Sequence, residues 1–264
     1  TRSDKDFPIT PGVFQPTFGG GDQDGVIVKL SPDCKNLIFA SYLGGSQTDA
    51  CFVLKINPAN GDLYVAGATS SNADFPGTKT GSIQPTYSGG ICDAYISIIS
   101  SDGSTLRKTT YLGTNGFDAI YGLEFDKHGF PYVMGSTTGA WTTTANVGFI
   151  NVGAKQFVAK LMPDLSRYVY STTFGKASPN PNISPVAFLV DRCENVYVSG
   201  WGGWLFASKD PYGLSGTSGM PVSPSAIKKT TDGRDFYFIV IQKNASALLY
   251  ATYFGQNDGP QSVS

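Results

Sequence analysis

An internal repeat constrains the fold of this chain more than any other feature of its sequence. A strand-like run that starts near Asp24 is followed by a second run that ends in a glycine, and this pair occurs four times. Because repeated segments of this length bury their apolar faces only against one another, the pattern predicts a stacked repeat architecture. The anchor glycines are spaced 69, 62 and 80 residues apart, at Gly44, Gly113, Gly175 and Gly255.

A second pair of strand-like runs follows the anchor glycine in three of the four copies. The runs over 52–67, 120–135 and 186–200 each place turn residues between alternating β-branched and aromatic residues, a pattern typical of a β-hairpin. Each full copy is therefore interpreted as four antiparallel strands. Radial stacking of such sheets gives a β-propeller, so the predicted fold is all-β: a β-propeller built of four-stranded antiparallel blades.

The repeats also predict how much of a propeller the chain contains. The last copy ends before a second hairpin, and the motif at Asp6, which matches the motif at Asp74, would follow a blade that precedes Thr1. Since propellers have about four to eight blades, we expect about three and a half blades of a larger ring, with blade ends missing at both termini. The repeats span approximately 6–72, 74–138, 140–204 and 220–264.

Composition fits short strands joined by turns and excludes several classes of protein. Only 15% of residues are charged and 41% are hydrophobic, whereas a coiled coil would need more charge and a disordered chain fewer apolar residues. The net charge is −1 without a basic cluster, so no nucleic acid is expected as a partner. The apolar runs have the length of strands, so the chain is not expected to span a membrane.

The cysteines and acidic residues offer few metal ligands. The four cysteines lack the close spacing of a zinc site, and their even number leaves two disulfides or four free thiols open. Asp22 and Asp24 lie in a glycine-rich segment that resembles a calcium loop, but the further acidic ligands of an EF-type loop are missing. No cofactor is predicted, and these two aspartates are the one candidate for a calcium site. The cysteines are Cys34, Cys51, Cys92 and Cys193.

The sequence lacks the common constellations of catalytic residues. Its one histidine, His128, lies in a turn, and no nucleophile elbow, phosphate-binding loop or dinucleotide fingerprint is present. Asp24, Asp93 and Asp235 occupy the same position in three copies, and a residue that recurs in this way usually has the same structural task in each copy. We therefore predict that the chain is not an enzyme. The alternative, a carboxylate-based glycan hydrolase or lyase, would need a non-repeated acidic pair.

Aromatic residues in the long connections are the candidates for a binding surface. Variation confined to the loops of a repeated scaffold is how such folds acquire binding sites. Exposed aromatic rings there would stack on sugar rings or anchor a partner protein; otherwise they cover the edge of a blade. The predicted surface consists of Trp141, Trp201, Trp204, Phe206 and Tyr212.

The repeat also carries motifs that resemble those of a known family. Asp-Phe-Pro-x-Thr, Gly-Gly-x-x-Asp-Ala, Tyr-Leu-Gly-Gly and Val-Tyr-Val-x-Gly, in tandem, are similar to the SBBP (seven-bladed β-propeller) repeat, most closely over 6–138. The stretch 191–203 resembles repeats of large Bacteroidetes proteins that carry PKD domains and a gliding-motility-associated C-terminal sorting domain. The resemblance implies an exported cargo of type IX secretion, displayed at the cell surface or released, and it supplies no catalytic residues.

The chain is therefore expected to be a non-catalytic display or interaction module of an exported bacterial surface protein. The resemblance links such a module to adhesion or gliding motility, and its loops would bind a protein or a glycan. Two alternatives stay open. One is the glycan hydrolase or lyase, and the other is a docking subunit or passenger of a secretion or motility complex in the periplasm or outer membrane, in contact with the secretion machinery.

Overall fold

The computed structural model describes residues 1, 7–202 and 216–255, and within them the chain is built of β-strands, which confirms the all-β prediction. These described residues contain fourteen strands and one short 3-10 turn, η1 (Lys243–Ala245). No helix in these ranges has the length and apolar character needed to cross a membrane. The strands are β1 (Gly25–Leu30), β2 (Leu37–Leu43), β3 (Asp49–Ile56), β4 (Leu63–Thr69), β5 (Asp93–Ile99), β6 (Leu106–Leu112), β7 (Asp118–Phe125), β8 (Pro131–Thr137), β9 (Gln156–Leu161), β10 (Tyr168–Phe174), β11 (Ser184–Val190), β12 (Val196–Trp201), β13 (Phe236–Ile241) and β14 (Leu248–Phe254).

The strands form four antiparallel sheets that follow one another along the chain. Sheet 1 contains β1 and β2, sheet 2 contains β3 to β6, sheet 3 contains β7 to β10 and sheet 4 contains β11 to β14. The first strands of sheets 2, 3 and 4 contact one another in turn, and the sheets stack face to face. Three four-stranded sheets and one two-stranded sheet confirm the prediction of about three and a half blades.

The sheets are offset from the sequence repeats by one hairpin. In sheet 2, β3–β4 is the second hairpin of the first repeat and β5–β6 is the first hairpin of the second repeat, and the two are joined by pairing along β4 and β5, from Leu63 with Ile99 to Thr69 with Asp93. β2 does not pair with β3, because the link 44–48 carries the chain from one sheet to the next. The interpretation that one repeat forms one sheet is thus corrected: each complete sheet takes one hairpin from each of two successive repeats.

Apolar side chains fill the space between successive sheets. Between sheets 2 and 3 the core includes Tyr64, Ile96 and Phe157, which are almost inaccessible to water. Tyr64 keeps its hydroxyl paired, because it donates to the carbonyl of Pro163 at 2.6 Å. Burial of one such side chain contributes roughly 2 kcal/mol to stability. The apolar contacts between facing sheets are therefore the main interaction that holds the sheets together.

A buried charge cluster joins sheet 3 to sheet 4. The Lys160 ammonium on β9 lies 2.7 Å from the Asp126 carboxylate and 2.8 Å from the Glu194 carboxylate, and these acids belong to hairpin turns of different sheets. Glu194 also pairs with Lys243 at 2.6 Å and accepts the Tyr132 hydroxyl at 3.1 Å. Burial acts to raise the pKa of Glu194, but the hydrogen bonds from Lys160 and Lys243 outweigh it and lower the pKa to about 2. The Glu194 carboxyl group is therefore ionised at neutral pH.

Removal of one acid from this cluster should destabilise the fold. We expect Glu194→Gln to lower the free energy of unfolding by about 3 kcal/mol, because the buried Lys160 ammonium is left with a single carboxylate. Glu124→Gln is the control, since Glu124 pairs with the more exposed Lys55 and loss of a surface ion pair costs about 1 kcal/mol or less. Urea unfolding measures both variants. Equally small losses would show that the cluster does not hold the two sheets together.

Candidate functional site

In three repeats, a buried aspartate lies at the start of the first hairpin of the repeat. Asp93, at the start of β5, accepts the Ser88 backbone N–H at 2.7 Å and the Gln84 side-chain amide at 3.1 Å. The Asp93 carboxylate packs so closely against the Cα of Gly113 that a Cβ at residue 113 would overlap the carboxylate. This close approach explains why the anchor residue is glycine. The arrangement recurs at Asp24 with Gly19 and Gly44, and at Asp235 with Lys228 and Gly255.

Burial changes the acidity of Asp93 and Asp24. It raises the pKa of Asp93 to about 7; the Ser88 N–H opposes this shift and the nearby Asp118 carboxylate adds to it. Burial likewise raises the pKa of Asp24 to about 6. In each carboxylate the Oδ1 atom is buried without a hydrogen-bond partner among the described residues. A carboxyl group with such a pKa is partly protonated near neutral pH, which spares the fold an unpaired buried charge.

The third repeat departs from this pattern, because Lys155 occupies the aspartate position. The Lys155 ammonium donates to the carbonyl of Gly139 at 2.5 Å, and the neighbouring Gln156 covers the anchor Gly175 instead. The Gln156 side-chain amide donates to Asn182 at 3.2 Å. Gly175 has a φ of 120°, so a glycine is required there on conformational grounds as well. Two neutral amides thus replace the carboxylate in this copy.

A second repeated aspartate caps the link between sheets. Asp49 accepts the Gly45 N–H at 2.7 Å and the Ser71 hydroxyl at 2.8 Å. Asp118 accepts the Thr114 N–H at 2.7 Å and the hydroxyl of the same residue at 2.9 Å. Burial raises the pKa of both aspartates despite these hydrogen bonds. The repeated carboxylates are thus engaged by neighbouring backbone and side-chain groups, which supports the interpretation that their task is structural.

The connection between β4 and β5 forms an open pocket of about 470 Å³. Tyr111 forms its buried floor and Tyr87 its wall, with ring centroids 5.9 Å apart and ring planes at 81°. The Lys79 ammonium lies 5.5 Å from the centre of the Tyr111 ring, within the range of cation–π attraction. Asn72 and Ser88 add polar groups to the lining. The lining is about as polar as it is apolar, and the pocket is open to solvent.

The fold holds the lining groups of this pocket in place. Lys79 donates to two backbone carbonyls of its own loop, and burial lowers its pKa. The Tyr111 hydroxyl donates to the carbonyl of Ser71 at 3.0 Å. Burial also raises the pKa of Tyr87 to about 12, so its phenol is neutral at physiological pH. A ligand would therefore meet preset groups and order few side chains when it binds.

The sequence alone does not predict this pocket, although it contains a signal for it. Tyr87 corresponds to Phe18 of the first repeat, whose ring stands against Tyr42 with centroids 5.8 Å apart, much as Tyr87 stands against Tyr111. The segment that supplies Lys79 is one residue longer than the corresponding segment of the first repeat. A cation specific to one copy, beside an aromatic pair that is repeated, is the feature that distinguishes this pocket.

The two described residues of the predicted binding surface lie apart from the pocket. Trp141 stacks on Phe157 with centroids 3.5 Å apart, and its ring N–H donates to Ser171 at 2.9 Å, which favours a packing role. Trp201, the last residue of β12, is half-buried and stands edge-on to Phe236. The remaining members of the predicted surface, Trp204, Phe206 and Tyr212, lie outside the described residues.

The glycine-rich segment does not gather metal ligands. Asp22 is exposed, whereas Asp24 is buried against Gly44 and accepts the Gly19 N–H at 2.7 Å. No three His, Cys, Asp or Glu side chains come close enough to hold a metal ion in the part of the chain that the structure describes. The cysteines are all free thiols: Cys34 and Cys193 are exposed, Cys51 is half-buried and Cys92 is buried.

The raised pKa of Asp93 should make stability depend on pH. An aspartate in an unfolded chain has a pKa of about 4, so the folded chain binds this proton more tightly, and stability is lost as the pH rises from about 4 to about 7. We expect Asp93→Asn, which stays neutral, to lose less stability than the natural chain across this window. Urea unfolding at several pH values measures the slope.

Asp22→Asn, at an exposed site, is the control for this experiment and should keep the slope of the natural chain. The same slope in Asp93→Asn as in the natural chain would contradict the assignment of the pH dependence to the buried carboxyl group.

No family model matches the chain, and no curated protein matches it. The pocket and the packing of the sheets are therefore the features from which a function is inferred.

Proposed function

We propose that this chain is a non-catalytic interaction module, a rigid β-propeller segment with a ligand-binding pocket on one of its connections. The pocket formed by Tyr87, Tyr111 and Lys79 carries the proposal, because it combines aromatic rings and a cation on a loop that stacked sheets hold in place. Binding residues are concentrated on such loops. The repeated carboxylates, such as Asp49 and Asp93, accept hydrogen bonds from the backbone, which supports binding rather than hydrolysis.

A glycan is the ligand class that fits the pocket. Sugar rings place their apolar faces on aromatic side chains, and Tyr87 offers such a ring. The Lys79 ammonium has three N–H donors and directs two of them to backbone carbonyls, so one donor is left for a hydroxyl or an acidic group of the ligand. The volume of about 470 Å³ lies within the range of small-ligand pockets.

We also propose where in the cell this module acts. We place it in an exported bacterial surface protein, a cargo of type IX secretion linked to adhesion or gliding motility. The resemblance of its motifs to the SBBP repeat supports this setting, and a glycan-binding pocket is consistent with contacts made outside the cell. Protease treatment of intact cells of the source organism tests it. Degradation of the protein is expected, and complete protection would contradict surface display.

A glycan array with neutral and acidic members tests the binding proposal. We expect the purified chain to bind, and Tyr87→Ala to weaken binding by about tenfold, because it removes the aromatic wall of the pocket. Phe18→Ala is the matched control, since Phe18 is the equivalent ring of the first repeat and lies outside the pocket. Its binding should equal that of the natural chain.

Three outcomes of this experiment would contradict the proposal. Absence of binding to every glycan would remove the ligand class, and equal losses in Tyr87→Ala and Phe18→Ala would remove the site. Release of reducing ends from a bound glycan would show turnover and favour the hydrolase alternative.

A further inference from the structure

The pocket at Tyr87 contains a single charged side chain, that of Lys79, and no carboxylate among its described lining residues. Its other polar side chains, besides the tyrosines, are those of Asn72, Thr86 and Ser88. An ionised carboxylate accepts hydrogen bonds and donates none, so it suits the hydroxyl donors of a neutral sugar. A lining with an ammonium group and without a carboxylate favours a ligand that accepts hydrogen bonds and carries negative charge.

The Lys79 ammonium keeps a hydrogen-bond donor for such a ligand. Two of its three N–H groups donate to backbone carbonyls of its own loop, and the third is left. The phenols differ, because each O–H donates within the protein: Tyr111 to the carbonyl of Ser71 at 3.0 Å, and Tyr87 to the carbonyl of Gly90 at 3.3 Å. The tyrosines therefore offer a ligand their rings, and Lys79 offers it a charged donor.

No carboxylate of the described residues forms an ion pair with Lys79. Two carboxylates near the pocket are engaged elsewhere, since Asp74 accepts the Ser46 N–H at 2.9 Å and Asp93 accepts the Ser88 N–H at 2.7 Å. Asp74 acts on Lys79 only through space, where it opposes the lowering of the Lys79 pKa by burial. A carboxylate of a ligand would therefore be the first direct ionic partner of this ammonium group.

The first repeat shows that the aromatic pair does not require a cation. Phe18 and Tyr42 form the equivalent pair, and the segment 7–18 that leads to it contains no Lys or Arg. In the second repeat the Lys79 ammonium lies 5.5 Å from the centre of the Tyr111 ring. A structural task shared by the repeats therefore does not account for Lys79.

We propose that the pocket binds acidic sugars and that Lys79 selects them over neutral sugars. The proposal rests on the glycan binding inferred above for the same site. The apolar face of the sugar ring lies against Tyr87, and a carboxylate on the ring, as in a uronic acid, accepts the remaining N–H of Lys79. A hydrogen bond between charged groups is about twice as strong as a neutral one. Because the pocket is open, the carboxylate keeps part of its hydration, and little of this gain is lost to desolvation.

Titrations with matched pairs of sugars, followed by NMR, test this proposal. Each pair consists of the methyl glycoside of a uronic acid and that of its neutral parent: glucuronic acid with glucose, galacturonic acid with galactose, and mannuronic acid with mannose. We expect the natural chain to bind at least one uronic acid about tenfold more tightly than its parent. The preference should decrease at high salt, because salt screens the attraction between the ammonium and the carboxylate.

Substitutions of Lys79 test whether this residue is the source of the preference. Lys79→Gln removes the charge and should abolish the preference, so that the uronic acid and its parent bind with similar affinity. Lys79→Arg keeps the charge and should keep the preference. Lys108→Gln is the matched control, since Lys108 donates to the carbonyl of Gly81 in the same connection at 2.9 Å but does not line the pocket. Its preference should equal that of the natural chain.

The possible failures of this proposal and of glycan binding are distinguishable. If the natural chain bound every neutral parent as tightly as its uronic acid, selection of acidic sugars would be overturned and glycan binding would stand. An undiminished preference in Lys79→Gln, with circular dichroism showing a folded chain, would overturn the assignment to Lys79. Absence of binding to both members of every pair would contradict this proposal together with the proposed function.

Discussion

The burial of each sheet face against the next sheet is the interaction on which the rest of this structure depends. A single four-stranded sheet with two apolar faces is not stable alone, and here Tyr64 and Phe157 become buried only because sheets 2 and 3 cover each other. Charged side chains also link successive sheets, as at Lys160 and Glu194. The stack thus supplies most of the stability, and the polar residues fix how successive sheets are joined.

The repeated aspartates connect this scaffold to the pocket. Ser88 lines the pocket, and its backbone N–H is held by the buried Asp93 carboxylate at 2.7 Å. Gln84, which also donates to Asp93, accepts the N–H of Gly113 at 3.0 Å. The loop that carries Tyr87 is therefore fastened to the anchor glycine of its own repeat. A residue whose task is structural in three copies thus positions a site that is specific to one copy.

Local sequence patterns were sufficient to predict the strands and the propeller architecture. They do not show which strands of successive repeats pair with each other. Alternation and turn residues identified the hairpins, whereas the pairing of β4 with β5 spans the connection 70–92 and has no pattern of its own. Trp141 was predicted on a binding surface because it lies in a long connection, yet it stacks on Phe157 as Phe75 packs on Tyr95. The pocket depends on the approach of Lys79 to Tyr111, which are distant in sequence.

The exchange of hairpins between repeats has a mechanical consequence. Because every complete sheet is assembled from two successive repeats, a force that pulls on one repeat cannot detach it without opening the two sheets to which it contributes. Load applied along the chain would pass through the ladder between β4 and β5, where seven residue pairs from Leu63–Ile99 to Thr69–Asp93 act together. A chain joined in this way resists extension, because each repeat is hydrogen-bonded to the next repeat within a shared sheet.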